Sequence, residues 1–195
     1  MTGVQTCALP IYGNSATGNV IGLNAAGTAA VPNTSYGVKV AAGSNTIGGT
    51  AAGAANTIAS NGGAGVAVTN ASTATIRGNS LYANTGIGID LLADGITAND
   101  GAKTVSQPNL LMDAPVFTSV SLSGTTITVA GYVGSAASQS DFAGATVDIY
   151  LSDASSTNGS GKTWLGTLTA DASGNFSGSL SGVSGATAGT SKVTG

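Results

Sequence analysis

The sequence has no histidine and no glutamate, and only one cysteine and four prolines among its 195 residues. Without histidine, no Ser-His-Asp arrangement can form within the chain. With Cys7 alone, neither an intrachain disulfide nor a Cys/His metal site is available. Charged residues make up 7% of the chain, against about a quarter in an ordinary globular domain. Five scattered bases and a net charge of −3 give no electrostatic footprint for nucleic acid. No apolar run approaches the roughly 18 residues needed to span a bilayer as a helix. The long-chain helix formers Glu, Lys, Met and Arg are nearly missing, which argues against an α-helical fold.

What fills the space is Gly, Ala, Ser, Thr, Asn, Val and Ile. Mean hydropathy is nonetheless positive, whereas disordered segments combine low hydropathy with high net charge. An all-β chain rich in turns is the expectation.

Three short motifs recur in fixed order. The first is NVIGLN (19–24), NTIASN (56–61) and NSLYAN (79–84). The second is GVKV (37–40), GVAV (65–68) and GIGI (86–89). The third, NTIGG (45–49) and ATIRG (74–78), lies between a second motif and the next first motif. From Val66 to Ile87 the steps are 10, 5 and 6 residues, 21 in all. Strands this short, each with one or two apolar residues, cannot enclose a core alone. They can if successive coils stack so that each strand pairs in parallel with its counterpart one coil away.

The pattern therefore predicts a parallel β-helix of about three coils, right-handed as parallel crossovers are. Ile21, Ile58 and Leu81 form one expected interior stack, and Val38, Val66 and Ile87 a second. Val40, Val68 and Ile89 follow two residues on, while Lys39 and Ala67 should face solvent. Asn tolerates left-handed corners, and stacked amides can hydrogen-bond along the axis. Asn19, Asn56 and Asn79 make one expected ladder, and Asn24, Asn61 and Asn84 another. Loops over 25–36 and 50–55 should project from one flank, where binding variation accumulates.

These residues, above all GNVIGLNAAGTAAVPN and SNTIGGTAAGAANTIASNGGAGVAV, resemble the right-handed parallel β-helix repeat proteins of bacterial surfaces, which share the pectate-lyase-like architecture. The resemblance covers about residues 13–116, and GIDLLADGITAND looks like the usual exit from such a repeat. It is specific for fold and poor for function.

After Asp113-Ala114-Pro115 the pattern alternates with period two through VFTSVSL, TTITVAGYV, ATVDIYLSD, TWLGTLTAD and GNFSGSL, separated by turn signals. Five such strands read as an antiparallel β-sandwich, with Trp164, Phe176, Tyr150 or Tyr132 helping to fill its core. The stretch resembles immunoglobulin-like modules that follow bacterial surface repeats, in which a last strand normally closes the sheet. The expected division is 12–100 for the β-helix, 101–115 for a linker and 116–195 for the sandwich, cut short at its end.

Residues 1–11, MTGVQTCALPI, share nothing with the repeat. There is no basic residue before Lys39, so they do not read as a secretory signal. Back-translated, they resemble the tail of a sequencing-library adapter oligonucleotide. On that reading they are set aside from the fold, and the β-helix is truncated at its N-terminus.

For chemistry the sequence offers little. A lyase would place an Asp cluster and an Arg or Lys base on one face, but Lys39, Arg77 and Lys103 occupy three different motif positions. No paired carboxylates of a glycosidase stand out. Asp90, Asp94, Asn99 and Asp100 could hold calcium as oxygen ligands, although the simpler reading of the same residues is turn formation. No other cofactor is implied. The expectation is a non-catalytic, secreted or cell-surface stalk or adhesin fragment that presents loops to an extracellular glycan or a host or cell-surface protein. The alternatives are a fragment of a carbohydrate-active β-helix enzyme or a glycan-binding module.

Overall fold

The computed structural model describes residues 13–153 and 159–195; the adapter-like segment lies outside them. The chain is all-β. Nine short strands come first: β1 (Ser15–Ala16), β2 (Val20–Ile21), β3 (Val38–Val40), β4 (Ser44–Gly48), β5 (Thr57–Ala59), β6 (Val66–Val68), β7 (Thr73–Arg77), β8 (Ser80–Tyr82) and β9 (Ile89–Leu91). Every third strand pairs in parallel, giving three sheets ordered β1-β4-β7, β2-β5-β8 and β3-β6-β9. Such stacked parallel sheets are compatible with a β-helix.

The first expected stack is there. Ile21 pairs with Ile58 and Ile58 with Leu81, and Ile58 is fully buried. Val40, Ile47, Val66 and Val68 join it in one apolar core. Two expectations need correction. Val66 pairs with Ile89 rather than Ile87, and Val68 with Leu91, so the repeat aligns GVAV with GIDL and not with GIGI. The asparagines carry the true spacing, since Asn56 to Asn79 and Asn61 to Asn84 are both 23 residues. Ala67, expected at solvent, has no exposed surface, while Lys39 beside it in the row stays exposed.

The ladders set the register. Asn56 Oδ1 accepts both the backbone N–H and the Nδ2–H of Asn19, at 2.9 and 3.0 Å. Asn79 Oδ1 accepts the same pair from Asn56, at 3.1 and 2.9 Å. At the second corner Asn84 Oδ1 does this for Asn61. The member above Asn61 is Asn33, at 3.2 and 2.9 Å, not Asn24. The chain leaves the coil after Gly22, bridges Leu23 to Ala30, and returns in time for Asn33 to take the corner. Gly22 has φ +84°, and a Cβ there would collide with the Ala59 carbonyl oxygen. The left-handed corner residues are Ser60 and Ala83, each one position before its ladder asparagine. The asparagines are needed for their amides, not their backbone tolerance.

A third column runs through Asn14 and Asn45, whose Oδ1 accepts the Asn14 N–H at 3.2 Å. In the next coil the column reaches Ala74, which has no amide to offer. Asn109 supplies one from 35 residues away: its Oδ1 accepts the Ala74 N–H and its Nδ2 donates to the Ala74 carbonyl.

The chain divides into two units. The first runs to Ile96 and adds Val105–Leu110; the second is Thr97–Thr104 with Leu111–Gly195. The segment expected as a linker thus belongs partly to each. The second unit holds β10 (Pro115–Ser123), β11 (Thr126–Val133), β12 (Thr146–Ser152), β13 (Gly161–Thr169), β14 (Asn175–Leu180) and β15 (Val193–Thr194). They form two antiparallel sheets, β10-β11-β14 and β13-β12-β15. Alternation puts Ile127, Val129, Val147, Ile149 and Phe176 in the core. The expected aromatics mostly stay outside it. Trp164 is 36% exposed and pairs with half-buried Tyr150 beside a bulge in β13. The missing volume comes from Phe142, fully buried on a short 3-10 turn (Ser140–Phe142) that strand periodicity does not reveal. The short β15 pairs with β12 as the third strand of its sheet.

Ile58→Asp should destabilise the chain by about 4 kcal/mol or more, because it removes a fully buried apolar side chain and leaves an unpartnered carboxylate. Thr57→Asp, one residue away on the outward face between Val20 and Ser80, should cost no more than about 1 kcal/mol. Circular-dichroism melts of the two variants check this, and equal effects would mean that the register is wrong.

Candidate functional site

Asp90 lies on β9, in the row Lys39, Ala67, Asp90 across the β3-β6-β9 sheet. One strand separates the lysine from the carboxylate, which at strand spacing puts their backbones roughly 10 Å apart. Asp90 is 6% exposed. The turn that follows it has Leu92 and Ala93 in left-handed backbone and Gly95 at φ +111°. It curls so that the Gly95 N–H donates to Asp90 Oδ1 at 3.2 Å. Asp94, inside that turn, is exposed. Arg77 sits on a different sheet, half-buried at the end of β7 and paired in register with Gly48.

Asn99 and Asp100 belong to the second unit. Asn99 acts as a backbone clamp: its Nδ2 donates to the carbonyls of Ala114 and Gly134, at 2.8 and 2.9 Å, and its Oδ1 accepts the Ala114 N–H at 2.9 Å. Asp100 Oδ1 accepts the Ala102 N–H at 2.9 Å. Asp113, which sequence reasoning passed over, is the buried carboxylate of this segment at 6% exposure. Its two oxygens accept the N–H groups of Asp100 and Gly101, at 3.2 and 2.8 Å. Lys103 places its ammonium 5.6 Å from the Phe142 ring centroid.

The four residues considered for calcium are thus split between the units, and Asp90, Asn99 and Asp100 each satisfy backbone groups. Among the described residues no group of three or more Asp, Glu, His or Cys side chains gathers as metal ligands would. A carboxylate that accepts two N–H groups is a turn lock by its chemistry.

The most site-like features of the first unit are its insertions. Between Gly22 and Asn33 the chain adds a hairpin whose turn is closed by Asn24: its Oδ1 accepts the Thr28 N–H at 2.9 Å and its backbone N–H donates to the Ala29 carbonyl at 2.8 Å. The hairpin exposes Val31, 51% accessible. A second insertion, residues 49–55, separates Gly48 from the ladder residue Asn56, where the next coil has only Gly78 between Arg77 and Asn79. The two insertions emerge at the two corners that bound the β2-β5-β8 sheet, not from one flank. Tyr36, just after the hairpin, has the Lys39 ammonium 5.8 Å from its ring centroid.

Asp113→Asn should cost about 1–3 kcal/mol, because an amide can accept only one of the two N–H groups and turns a donor toward the other. The same change at Asp94 should be nearly neutral. Urea unfolding of both variants decides it; equal stability would mean that the two N–H groups find other acceptors.

No family model matches the chain, and no solved structure matches it, so its functional reading rests on these residues.

Proposed function

We propose that the chain is a non-catalytic piece of a secreted or surface-exposed bacterial repeat protein of the stalk or adhesin type. In this reading the stacked coils form a right-handed parallel β-helix that presents loops for binding, and an immunoglobulin-like module follows. The observation that carries it is the hairpin after Gly22. Ten residues of chain lie between Gly22 and Asn33, yet Val20–Ile21 before it and Asn33 after it keep their partners in the next coil. The scaffold accommodates the insertion without losing its register. An arrangement in which amide ladders hold the corners while the loops between them vary separates support from recognition.

The surface suits an extracellular binding role in a second respect. It is made of hydroxyls, amides and small apolar groups with few charges, which leaves contacts to shape and hydrogen bonding rather than to long-range attraction. The partner is then an extracellular glycan or a protein of a host or cell surface.

The test replaces residues 24–31 with a two-residue Gly-Ser turn, keeping Gly22 and Asn33. The variant should melt within a few degrees of the parent, a change of about 1 kcal/mol or less. On a printed array of glycans and extracellular-matrix proteins the parent should bind at least one spot and the variant should lose it. Global unfolding of the variant would make the hairpin structural. Unchanged binding would remove it from recognition.

A further inference from the structure

The second unit carries an open cavity of about 480 Å³, within the roughly 300–1,000 Å³ typical of small-molecule sites. We propose that it is a subsite for one residue of a neutral saccharide, built on Tyr132, Asp171 and Asn175. All of its lining lies in the second unit, so it is independent of the loops of the first.

A bulge borders the hollow at Thr118. The pairing of β10 with β11 slips between Phe117 and Ser119, which throws Thr118 out of register and bends the strand locally. Thr118 Oγ1 donates to the Ala130 carbonyl at 3.2 Å, so its oxygen is presented as an acceptor. Tyr132 pairs with Asn175 across β11 and β14, is half-buried and lines the cavity.

The two polar groups beside the ring are held in complementary roles. Asp171 Oδ1 accepts the N–H groups of Ser173 and Asn175, at 2.8 and 3.0 Å. The carboxylate is therefore fixed through Oδ1 on an exposed turn, which leaves Oδ2 as the oxygen to accept from a ligand. Asn175 Oδ1 accepts the Ser138 N–H at 3.1 Å. With Oδ1 engaged there, Nδ2 is the donor the amide has to offer a ligand. A fixed acceptor, a fixed donor and an aromatic face are what a pair of vicinal hydroxyls on a sugar ring requires. One hydroxyl donates to the carboxylate, its neighbour accepts from the amide, and the C–H face of the sugar lies against the tyrosine. Asp171 is the sole charged residue among those lining the cavity, so a uronate or sulfated sugar is repelled.

The test is a titration of the isotope-labelled, 195-residue chain by NMR with the methyl glycosides of glucose, galactose, mannose and N-acetylglucosamine, and with glucuronate as the anionic control. At least one neutral glycoside should saturably shift the amides of Gly131, Tyr132, Asn175 and Ser177. Tyr132→Ala should weaken that binding about tenfold. Asp171→Asn, which keeps the Oδ1 acceptor and so the turn, should weaken it about threefold or more. If Tyr132→Ala does not fold, Tyr132→Leu preserves the strand's bulk and serves in its place. No shift at these amides with any neutral glycoside, binding unchanged in the variants, or tighter binding of glucuronate would each overturn the proposal. The chain lacking the hairpin should bind the glycoside like the parent, which separates this site from loop recognition.

Discussion

The first unit depends on one repeated contact: an asparagine Oδ1 that receives two hydrogen bonds from the asparagine of the preceding coil, one from its backbone and one from its side chain. Asn56 makes this contact on both sides, toward Asn19 and toward Asn79. The remaining Nδ2 hydrogens are also used, since Asn56 donates to the Ala16 carbonyl and Asn79 to the Ile47 carbonyl, each at 2.8 Å. These asparagines are almost wholly buried, where an unpaired amide would be costly. Aspartate could not replace them, having no donor to pass on and a charge to repeat in every coil. Serine is too short to reach. The contact therefore selects both the residue and the spacing, and with them which strand lies over which.

Register held in this way explains why the coils can differ in length. Parallel strands of two to five residues, with one or two inward side chains each, are weak determinants of their own alignment. Here the alignment is fixed at the corners instead, so chain can be added between a corner and the next strand without moving either. The hairpin after Gly22 and the insertion at 49–55 are both of this kind. Where a column runs out of asparagines, at Ala74, the chain brings Asn109 back to serve as the missing amide. That return is why Val105–Leu110 belongs with the first unit although it follows part of the second in sequence.

Much of this was legible in the sequence, and what was not had physical causes. The stack of Ile21, Ile58 and Leu81 and the ladder of Asn19, Asn56 and Asn79 follow from motifs that are the same inside, although 37 residues separate the first two asparagines and 23 the next two. The GIGI reading failed because GIGIDL contains two overlapping candidates; only the 23-residue asparagine spacing distinguishes them. Asn24 fits the motif and Asn33 does not, because an insertion preserves local spacing before it and hides the return point after it. Asn109 had no local signal, being outside any repeat. In the second unit, period-two alternation located the strands, but a bulge turned Trp164 outward and a 3-10 turn placed Phe142 inward. Aromatic identity alone does not say which side of a sheet a residue takes. At the candidate sites, the acids near the exit of the repeat were recognisable as a group, whereas the bond partners that make them turn locks were not.

Those partners tie the composition to the surface. Asp90, Asp100, Asp113 and Asp171 each accept backbone N–H groups of a turn, and Asp148 accepts the Thr167 hydroxyl at 2.6 Å. Asp153 pairs with Lys162 at 3.3 Å. In a chain with no glutamate, the carboxylates are short, and four of the eight are turned to backbone N–H groups in this way. The outward surface is consequently left to threonine, serine, asparagine and small apolar side chains. Such a surface has little long-range field to draw in a charged partner. Under the binding role proposed, recognition would rest on local shape, a few oriented donors and acceptors, and isolated aromatic rings. In the second unit, Tyr132, Asp171 and Asn175 line one cavity, and the Asp171 and Asn175 side chains are already held there by bonds to backbone N–H groups.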